Sequence, residues 1–205
     1  MFVLKKNYFF IIESIKDIKL KNIKNFSKFN IIYRRRVPEN FKKLKEFRLN
    51  CKKKRINFYL ANDFKLMNKL NADGLYISAK NRKFYFWNNK NTNMKIIGSA
   101  HDIKEIYLKK QQGCTNIFLS RIFKTSYKKK QDFLGLIKFN LKIRASKEHI
   151  TALGGIKINT FNKLKNVHCD SIALSSEIKK NNNVFRKFYW YKKKGGFRPL
   201  FNLIN

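Results

Sequence analysis

Four polar residues in the middle of the chain have side chains suited to binding phosphate groups. Ser99 and His101 lie at the end of an apolar run, Lys95–Ser99, and Thr125 and Lys128 lie just past the next apolar run. Hydroxyl, imidazole and ammonium groups donate hydrogen bonds, and phosphate oxygens accept them. Whether the four residues act together depends on whether the fold brings the ends of the two runs side by side.

Eight short apolar runs recur along the chain, and each is followed by a longer, lysine-rich amphipathic stretch. Their apolar character is continuous, which is typical of strands buried on both faces of a parallel sheet. Eight such units in 205 residues predict a single-domain α/β fold, the (β/α)8 TIM barrel, with a doubly wound open sheet as the alternative. The predicted strands are Tyr8–Ile12, Asn30–Tyr33, Ile56–Leu60, Gly74–Ser78, Lys95–Ser99, Asn116–Ser120, Ile150–Leu153 and Ser171–Ser175.

Three of the connections show helical spacing of apolar residues: residues 102–112, the stretch after Pro38, and residues 157–166. We expect Asp102 to cap the first of these helices. The fourth connection, with Phe84–Trp87, fits a short helix or a packed loop. The residues expected on the buried faces are Ile103, Ile106 and Tyr107, then Phe41, Leu44 and Leu49, then Ile158, Phe161 and Leu164.

Polar residues follow most of the predicted strands, at the barrel end where functional residues lie in this architecture. Nearly all of them can bind phosphate and only Asp63 is acidic, so the sequence predicts an anion-binding mouth with room for a metal. These residues are Arg34, Arg36, Asn62, Asp63, Ser99, His101, Thr125, Lys128, Gly154, Gly155 and Ser176.

The formal net charge is +36, from 48 Lys and Arg against 12 Asp and Glu. An anionic partner is expected: nucleic acid, a membrane surface or a phosphorylated small molecule. Drift in amino-acid composition explains much of this charge equally well. The lysines occur together with many Asn, Ile and Phe residues, and these four residue types are the ones that an A/T-rich genome tends to encode. The lysines are also scattered over every predicted helix, and nucleic-acid binding needs a clustered stripe, so nucleic acid is possible but not favoured.

Other features bound the class of protein. Cys51, Cys114 and Cys169 show neither CxxC spacing nor an even number, which indicates reduced thiols in the cytoplasm. The N-terminal apolar run is interrupted by lysines and predicts a strand, with neither a signal peptide nor a membrane span. We predict a barrel over residues 1–180, followed by a helix and a basic, aromatic tail over residues 181–205. The sequence does not indicate an oligomeric state.

Five segments resemble, in order, motifs of the thiamine phosphate synthase/TenI family. "FYLANDFKLMNKLNADGLYIS" resembles a strand-Asn-Asp-helix-"ADGVHLG" segment, and "IIGSAH" resembles "IGVSAH". "LSRIFKTSYKK" resembles the "GPIFPTPTK" loop, "ITALGGIKINTFNKL" the "VAIGGI…N" phosphate loop, and "CDSIALSSEI" the segment "ADGVAVVSAI". The resemblance covers roughly Tyr8 to Lys180.

The resemblance implies an enzyme of thiamine biosynthesis. The synthase joins an aminopyrimidine pyrophosphate to a thiazole phosphate and releases pyrophosphate, with Mg²⁺ and cations neutralising the leaving group. The TenI branch instead isomerises a thiazole carboxylate phosphate. We expect the synthase first and a TenI-like tautomerase second. A basic, non-enzymatic RNA- or ligand-binding barrel remains a further alternative.

The resemblance also implies roles for residues after the second and third strands. Arg34 and Arg36 match residues that bind pyrophosphate, as does Asn62, and Asp63 matches a magnesium ligand. Three solvated arginines before Pro38 and a helix N-cap pair are the structural alternatives.

Later residues match the remainder of the site. Ser99 matches a serine that contacts the pyrimidine, and Thr125 and Lys128 match loop residues that hold pyrophosphate. His101 matches the histidine that acts as acid and base in the TenI branch, a task that imidazole suits near neutral pH, although it equally fits a helix cap.

The glycine pair Gly154 and Gly155 matches a backbone-amide cradle for the thiazole phosphate, which Ser176 would complete. An ordinary strand-to-helix turn is the alternative for the two glycines.

One departure from the family pattern concerns the metal. The family reads "GQED" after the fourth strand and this chain reads "SAKN", so that Lys80 and Asn81 replace two acids. Asp63 is then the sole carboxylate expected to hold Mg²⁺, and cations such as Lys80 are expected to replace part of the metal's charge.

Overall fold

Eight parallel strands close into a barrel in which each strand pairs with its neighbours in sequence. The computed structural model describes residues 7–23, 28–84, 94–125 and 132–180. Asn7 pairs with Ser171, which joins the first strand to the last. This pairing confirms the predicted TIM barrel and excludes the open sheet. The strands are β1 (Asn7–Ile12), β2 (Phe29–Tyr33), β3 (Asn57–Ala61), β4 (Gly74–Ile77), β5 (Lys95–Ala100), β6 (Asn116–Ser120), β7 (Ile150–Leu153) and β8 (Ser171–Leu174).

The barrel interior is layered from an apolar middle to a polar floor. Side chains from seven strands form the middle layer, and polar side chains form the floor at the N-terminal ends of the strands. There Asn57 Nδ2 donates to Asn30 Oδ1 over 2.8 Å, and Thr151 Oγ1 donates to Asn116 Oδ1 over 2.8 Å. Satisfied polar groups close this end, so a ligand can enter only from the other. The middle layer contains Phe9, Ile11, Ile32, Tyr59, Tyr76, Ile97, Phe118 and Ala173.

A second and larger apolar core lies between the barrel and the surrounding helices. Its barrel side consists of the outward-facing strand residues, which alternate with the interior ones because successive side chains in a strand point to opposite faces. The α-helices are α1 (Phe41–Lys53), α2 (Phe64–Leu70), α3 (Ile103–Gln111), α4 (Gly135–Ser146) and α5 (Ser176–Lys180), and the 3₁₀ segments are Ile15–Asp17, Leu20–Asn22 and Ile158–Asn166.

The predicted buried face of α1 is partly wrong. Leu44 is buried, but Leu49 is 50% exposed and Phe41 is 44% exposed. Leu49 lies five residues after Leu44, which places it about 140° around an α-helix of 3.6 residues per turn. Phe47 and Cys51 occupy the buried face in its place.

The predicted face of α3 is also partly wrong, although Asp102 caps this helix as expected. Ile106 is buried, whereas Ile103 and Tyr107 are 49% and 63% exposed. Lys109, three residues after Ile106, takes the buried position. A lysine on the buried side of a helix carries no apolar signal, so the sequence pattern pointed to its neighbour.

The segment Ile158–Asn166 is helical as expected but forms a 3₁₀ helix. Ile158, Phe161 and Leu164 are each three residues apart, and this spacing matches the three residues per turn of a 3₁₀ helix. Leu164 is buried and the other two pack partly against the core. The spacing was therefore a signal for this geometry.

Other expectations can be compared with the described residues. The three cysteines are all buried and free. Among the described residues, none of the helices combines the length and apolarity that crossing a bilayer requires. The aromatic run Phe84–Trp87 lies almost wholly outside those residues, as does the tail at 181–205, so the proposed division at residue 180 stays a prediction.

Candidate functional site

The C-terminal ends of the strands bring together the predicted site residues that the structure describes. Parallel strands in a closed barrel all end at the same rim, which we call the mouth. Lys128 lies outside the described residues, so its role remains a prediction. Around the mouth, Arg34 and Arg36 follow β2, Asn62 and Asp63 follow β3, Ser99 and His101 end and follow β5, Thr125 follows β6, Gly154 and Gly155 follow β7, and Ser176 begins α5.

A carboxylate that the sequence reading missed holds two of the predicted cations. Glu13 follows β1, and its Oε1 accepts a 2.8 Å bond from Arg34 Nη2 while its Oε2 lies 3.4 Å from Arg36 Nη1. The Glu13 side chain is 17% exposed, against 50% for Arg34 and 74% for Arg36. The partly buried carboxylate therefore anchors two guanidinium groups that are more open to solvent than it is.

The loop that carries Glu13 is fixed by a second carboxylate, Asp17. Its Oδ2 accepts the backbone N–H groups of Glu13 and Ser14 over 2.8 and 3.0 Å. Polar residues directly after a barrel strand are the usual source of site residues. The position of Glu13 directly after the first strand was the signal that could have identified it.

Glu39 ties the loop after β1 to the loop that carries the arginines. It accepts hydrogen bonds from the Tyr33 hydroxyl over 2.9 Å, from Ser14 Oγ over 2.5 Å and from the backbone N–H of Ile15 over 3.1 Å. Burial and the bond to Glu39 raise the pKa of Tyr33, so its hydroxyl stays protonated and donates. The arginine loop is thus held in position from both sides.

Asp63 serves as a helix cap, the structural alternative expected from the sequence. Its Oδ1 accepts the backbone N–H of Leu66 over 2.9 Å at the start of α2. Its Oδ2 lies 3.6 Å from Arg35 Nη2. The arginine beside this carboxylate is therefore Arg35, which the sequence reading had not singled out.

Asn62 and Asn81 form an amide network across the ends of β3 and β4. Asn62 Oδ1 accepts from the backbone N–H of Ser78 and from Asn81 Nδ2, both over 2.9 Å, and Asn62 Nδ2 donates to Ser78 Oγ over 3.0 Å. Asn62 has a positive φ of 58°, a conformation that asparagine tolerates better than most residues. The backbone conformation therefore supports the network.

The loop after β4 is clamped from beneath by α3 and the residue that caps it. Lys109 Nζ donates to the carbonyl oxygen of Asn81 over 2.6 Å and to Gln112 Oε1 over 2.7 Å. Gln112 Nε2 donates to the carbonyl oxygens of Asn81 and Lys83 over 3.1 and 2.9 Å. Lys109 and Gln112 are both fully buried, and burial lowers the pKa of Lys109. Two buried side chains thus fix the position of Asn81.

These donors do not fit a magnesium centre built by the protein. Both oxygens of Asp63 already face donors, an N–H group and a guanidinium. Asn81 turns its NH₂ group toward Asn62, and its Oδ1 accepts the backbone N–H of Lys83 over 2.9 Å. Among the described residues there is no group of three or more His, Cys, Asp or Glu side chains that could hold a metal.

Ser99 lies directly above the apolar middle layer of the barrel. Its side chain lies beside the hydroxyl of Tyr76, and burial raises the pKa of Tyr76. The phenol therefore stays neutral and available as a hydrogen-bond donor. Ser99 is 6% exposed, so it sits at the bottom of the mouth.

His101 pairs with a second residue that the sequence reading missed. Its Nδ1 lies 2.9 Å from Ser120 Oγ, at the end of the neighbouring strand β6. Asp102, rather than His101, caps α3. The cap role considered for His101 is therefore not the one that it has in the structure.

The glycine pair after β7 packs against the loop after β6. Gly154 and Gly155 have φ values of 95° and 67°. A Cβ atom on Gly155 would lie 2.4 Å from the carbonyl oxygen of Phe123, and one on Gly154 would lie 2.8 Å from Cγ of Arg121. Close packing of the two loops therefore requires glycine at Gly155. This requirement differs from both roles considered from the sequence, a backbone-amide cradle for phosphate and an ordinary strand-to-helix turn.

Arg121 adds a guanidinium group at this contact, beside the predicted pyrophosphate residue Thr125. Its Nη1 lies 3.5 Å from Thr125 Oγ1. A cavity of about 240 Å³ opens next to the glycine pair, and its lining includes three lysines and no carboxylate. Cations therefore dominate this side of the mouth as well. The lining residues are Phe123, Lys124, Phe133, Gly155, Lys157, Asn159, Thr160 and Lys163.

Fold and site together define a (β/α)8 barrel with a mouth rich in cationic side chains. The sequence profile of a family described as thiamine monophosphate synthase matches residues 30–178. The match covers well over half of the 205 residues, so this chain belongs to the thiamine monophosphate synthase family. The resemblance seen in the motifs is confirmed.

Individual relatives agree with this assignment. A thiamine-phosphate synthase from Prochlorococcus marinus is 30% identical over 148 residues, which are 69% of this chain and 42% of that protein. The chain thus spans less than half the length of this curated relative.

Two solved structures share the fold. A thiamine phosphate pyrophosphorylase from Pyrococcus furiosus superposes with a TM-score of 0.69 at 15% identity, covering 93% of this chain and 98% of that one. A second, from Bacteroides thetaiotaomicron, gives a TM-score of 0.58 at 11% identity, covering 92% and 100%. Both are similar in fold, and identities this low carry no further conclusion.

Replacing Asn81 with aspartate should create metal dependence. In Asn81→Asp, a carboxylate oxygen would face Asn62 Oδ1, where the amide donor now lies 2.9 Å away. We expect a lower melting temperature without metal and a recovery with millimolar Mg²⁺ in a thermal unfolding scan. The parent protein should show no Mg²⁺ effect. The control Asn81→Ala loses the same bond without adding charge, and recovery there would contradict this account.

Two glycines with nearly equal φ separate backbone strain from loop packing. Gly135 has φ 68° and open space where a Cβ would lie, whereas Gly155 has φ 67° and a carbonyl in the way. We expect Gly135→Ala to lower the free energy of unfolding by about 1 kcal/mol and Gly155→Ala by about 3 kcal/mol in urea titrations. Gly155→Ala should also weaken binding of inorganic phosphate. Equal losses would mean that the contact between the loops does not matter.

Proposed function

We propose that the chain catalyses the coupling of an aminopyrimidine pyrophosphate to a thiazole phosphate, with release of pyrophosphate. In this reaction the bond between the pyrimidine methylene carbon and the pyrophosphate oxygen breaks, and the thiazole nitrogen then bonds to that carbon. The observation that carries the proposal is the pair of solvent-open guanidinium groups, Arg34 and Arg36, held at the mouth by the partly buried carboxylate of Glu13.

Neutralising the departing pyrophosphate is the task of these guanidinium groups. To perform it, Arg34 exchanges Glu13 for a phosphate oxygen. The exchange is inexpensive because an ion pair with an exposed partner is worth about 0–1 kcal/mol. Planar guanidinium groups bind phosphate oxygens in pairs, and a site that is already ordered loses little entropy when it binds. Glu13 therefore orders the cations before substrate arrives.

The bottom of the mouth suits a flat heteroaromatic ring. Ser99 and Tyr76 present two neighbouring hydroxyl groups there. Below them the rings of Phe9 and Phe118 meet edge to face with centroids 4.8 Å apart, and Tyr76 meets Phe118 in the same way at 5.6 Å. Aromatic faces attract positive charge, which favours the benzyl-like cation left on the pyrimidine when pyrophosphate departs.

Charge on the leaving group is balanced here by side chains more than by metal. Lys80 is exposed and stands where the family pattern has an acid. Arg121 and Lys124 follow β6, two strands further around the barrel. We therefore propose turnover that depends only weakly on Mg²⁺. Lys128 belongs to the same proposal, which for this residue rests on the loop motif alone.

A TenI-like tautomerase is the second candidate, and one contact favours it. The 2.9 Å approach of Ser120 Oγ to Nδ1 of His101 anchors the imidazole at the mouth. A tautomerase needs a positioned acid and base, whereas the loss of the second metal carboxylate leaves its chemistry untouched.

A non-enzymatic RNA-binding role is less well supported. Exposed lysines occur on α1, α2, α3 and α4 and on the segment Ile158–Asn166, so the positive charge is not confined to one face of the described part of the chain. Nucleic-acid binding depends on a clustered basic surface.

The cytoplasmic location expected from the cysteines likewise remains a proposal.

Replacing Arg34 separates the two enzymatic proposals. Purified protein is incubated with both synthase substrates, and separately with the tautomerase substrate, with and without Mg²⁺. In a synthase, Arg34→Ala should lower kcat by roughly 10²-fold, about 3 kcal/mol, because one preorganised charge contact is lost. Arg144→Ala is the matched control, since Arg144 is exposed in the last turn of α4 at the opposite end of the barrel.

The outcomes exclude one another. Coupling that survives Arg34→Ala unchanged would sink the proposed role of the guanidinium groups. A tautomerase should tolerate Arg34→Ala and lose activity in His101→Ala. Inactivity in both assays would leave the non-enzymatic alternative.

A further inference from the structure

Ser120 and His101 face each other across the ends of two adjacent strands. Strand β5 pairs with β6 in a register that places Ala100 opposite Leu119, so the residues that follow lie side by side. Two oxygen atoms of Ser120 approach the same ring nitrogen: Oγ lies 2.9 Å from Nδ1 of His101, and the Ser120 carbonyl oxygen lies 3.3 Å from it. One side of the imidazole is thus fully occupied by Ser120.

The main chain of His101 is anchored as firmly as its ring. Glu105 Oε2 accepts the backbone N–H of His101 over 2.7 Å. Asp102 Oδ1 accepts the backbone N–H of Glu105 over 2.8 Å, which closes the first turn of α3. The imidazole therefore has a fixed position relative to the mouth, and rotation about its side-chain bonds would break both contacts to Ser120.

Burial distinguishes the roles of the two residues. Ser120 is 7% exposed, whereas His101 is exposed. Because Nδ1 faces the buried serine, Nε2 points away from it, and no hydrogen bond to Nε2 occurs within the described residues. A buried hydroxyl behind an exposed ring is badly placed to attack a substrate. It is well placed to orient the ring that meets one.

The chemistry of the two Ser120 oxygens determines which nitrogen of the His101 ring carries the proton. A carbonyl oxygen only accepts hydrogen bonds, and a hydroxyl oxygen can accept as well. Two acceptors therefore hold a proton on Nδ1, and the bond made by one ring nitrogen fixes the state of the other. We infer that Ser120 is a positioning residue that keeps Nδ1 of His101 protonated and leaves Nε2 as the nitrogen that exchanges a proton with substrate.

This arrangement supports a proton shift within one substrate molecule. A C–H bond breaks, its electron pair stays in the conjugated system of the substrate and its proton moves to Nε2. The same proton then returns to a different atom of the substrate, so nothing is oxidised or reduced. For this step the inference rests on the tautomerase proposed above. The position of the proton on the free protein does not rest on it.

The Ser120 side chain is a departure from the family motif that this loop resembles. In the loop motif that residues 120–128 resemble, the position of Ser120 is a glycine, which has no side chain to reach an imidazole. The hydroxyl is therefore an addition to the motif. A variant that removes it tests the addition and leaves the rest of the motif intact.

Nitrogen NMR of protein labelled with ¹⁵N-histidine tests the inference directly. The chain has three histidines, and His149 and His168 serve as internal references. At a pH where His101 is neutral, we expect its proton on Nδ1. Ser120→Ala removes the nearer acceptor and should populate the form protonated on Nε2, whereas Ser120→Thr keeps a hydroxyl and should resemble the parent protein. Thermal unfolding checks that each variant is folded.

Two results would overturn the inference: a parent protein with its proton on Nε2, or a folded Ser120→Ala protein with an unchanged His101 spectrum. Should Ser120→Ala not fold, the parent spectrum and the Ser120→Thr spectrum still decide. In the tautomerase assay, Ser120→Ala should lower kcat about tenfold with KM unchanged, as loss of an orienting partner does. The expected spectra without tautomerase activity would defeat the tautomerase candidate and leave the positioning role of Ser120 standing.

Discussion

Closure of the sheet is the constraint on which the site depends. The hydrogen bonds between β1 and β8 convert eight strands into a ring, and in a ring of parallel strands every C-terminal end meets the same rim. Residues far apart in sequence, such as Glu13 and His101, thereby come to one opening. The polar floor seals the opposite end, and the aromatic middle layer fills the space between. What remains for ligands is a shallow opening whose chemistry the loops decide.

Within that opening, carboxylates organise the cations. The chain has only 12 acidic residues against 48 basic ones, so an acidic residue at a basic mouth needs a physical reason. Glu13 holds Arg34 and Arg36, Glu39 ties their loop down, and Asp63 lies beside Arg35. Ordered guanidinium groups lose little freedom when an anion binds, which is how preorganisation strengthens binding. The same pairs leave few free oxygens for a metal, and this is the physical link between the arginines and the poor magnesium site.

The sequence was sufficient for the fold and only partly for the site. All eight strands lie within one residue of their predicted bounds, because residues buried on both faces produce continuous apolar runs. The ends of the strands then identified the mouth. Pairings such as Ser120 with His101 could not be predicted, because they depend on the register between adjacent strands. The identity of a single polar residue does not indicate which residue it will pair with. Buried Lys109 was missed because lysine normally marks an exposed face. The need for glycine at Gly155 could not be predicted either, because it depends on the position of the neighbouring loop.

The central claim is that the positive charge that binds pyrophosphate lies at the mouth and not on the outer helices. A crystal structure of the protein with inorganic pyrophosphate tests this claim. The account predicts pyrophosphate at the C-terminal ends of the strands, within hydrogen-bond distance of Arg34, with Glu13 displaced from at least one guanidinium group. Pyrophosphate bound only to the lysines of the outer helices, with the contact between Glu13 and Arg34 intact, would contradict it.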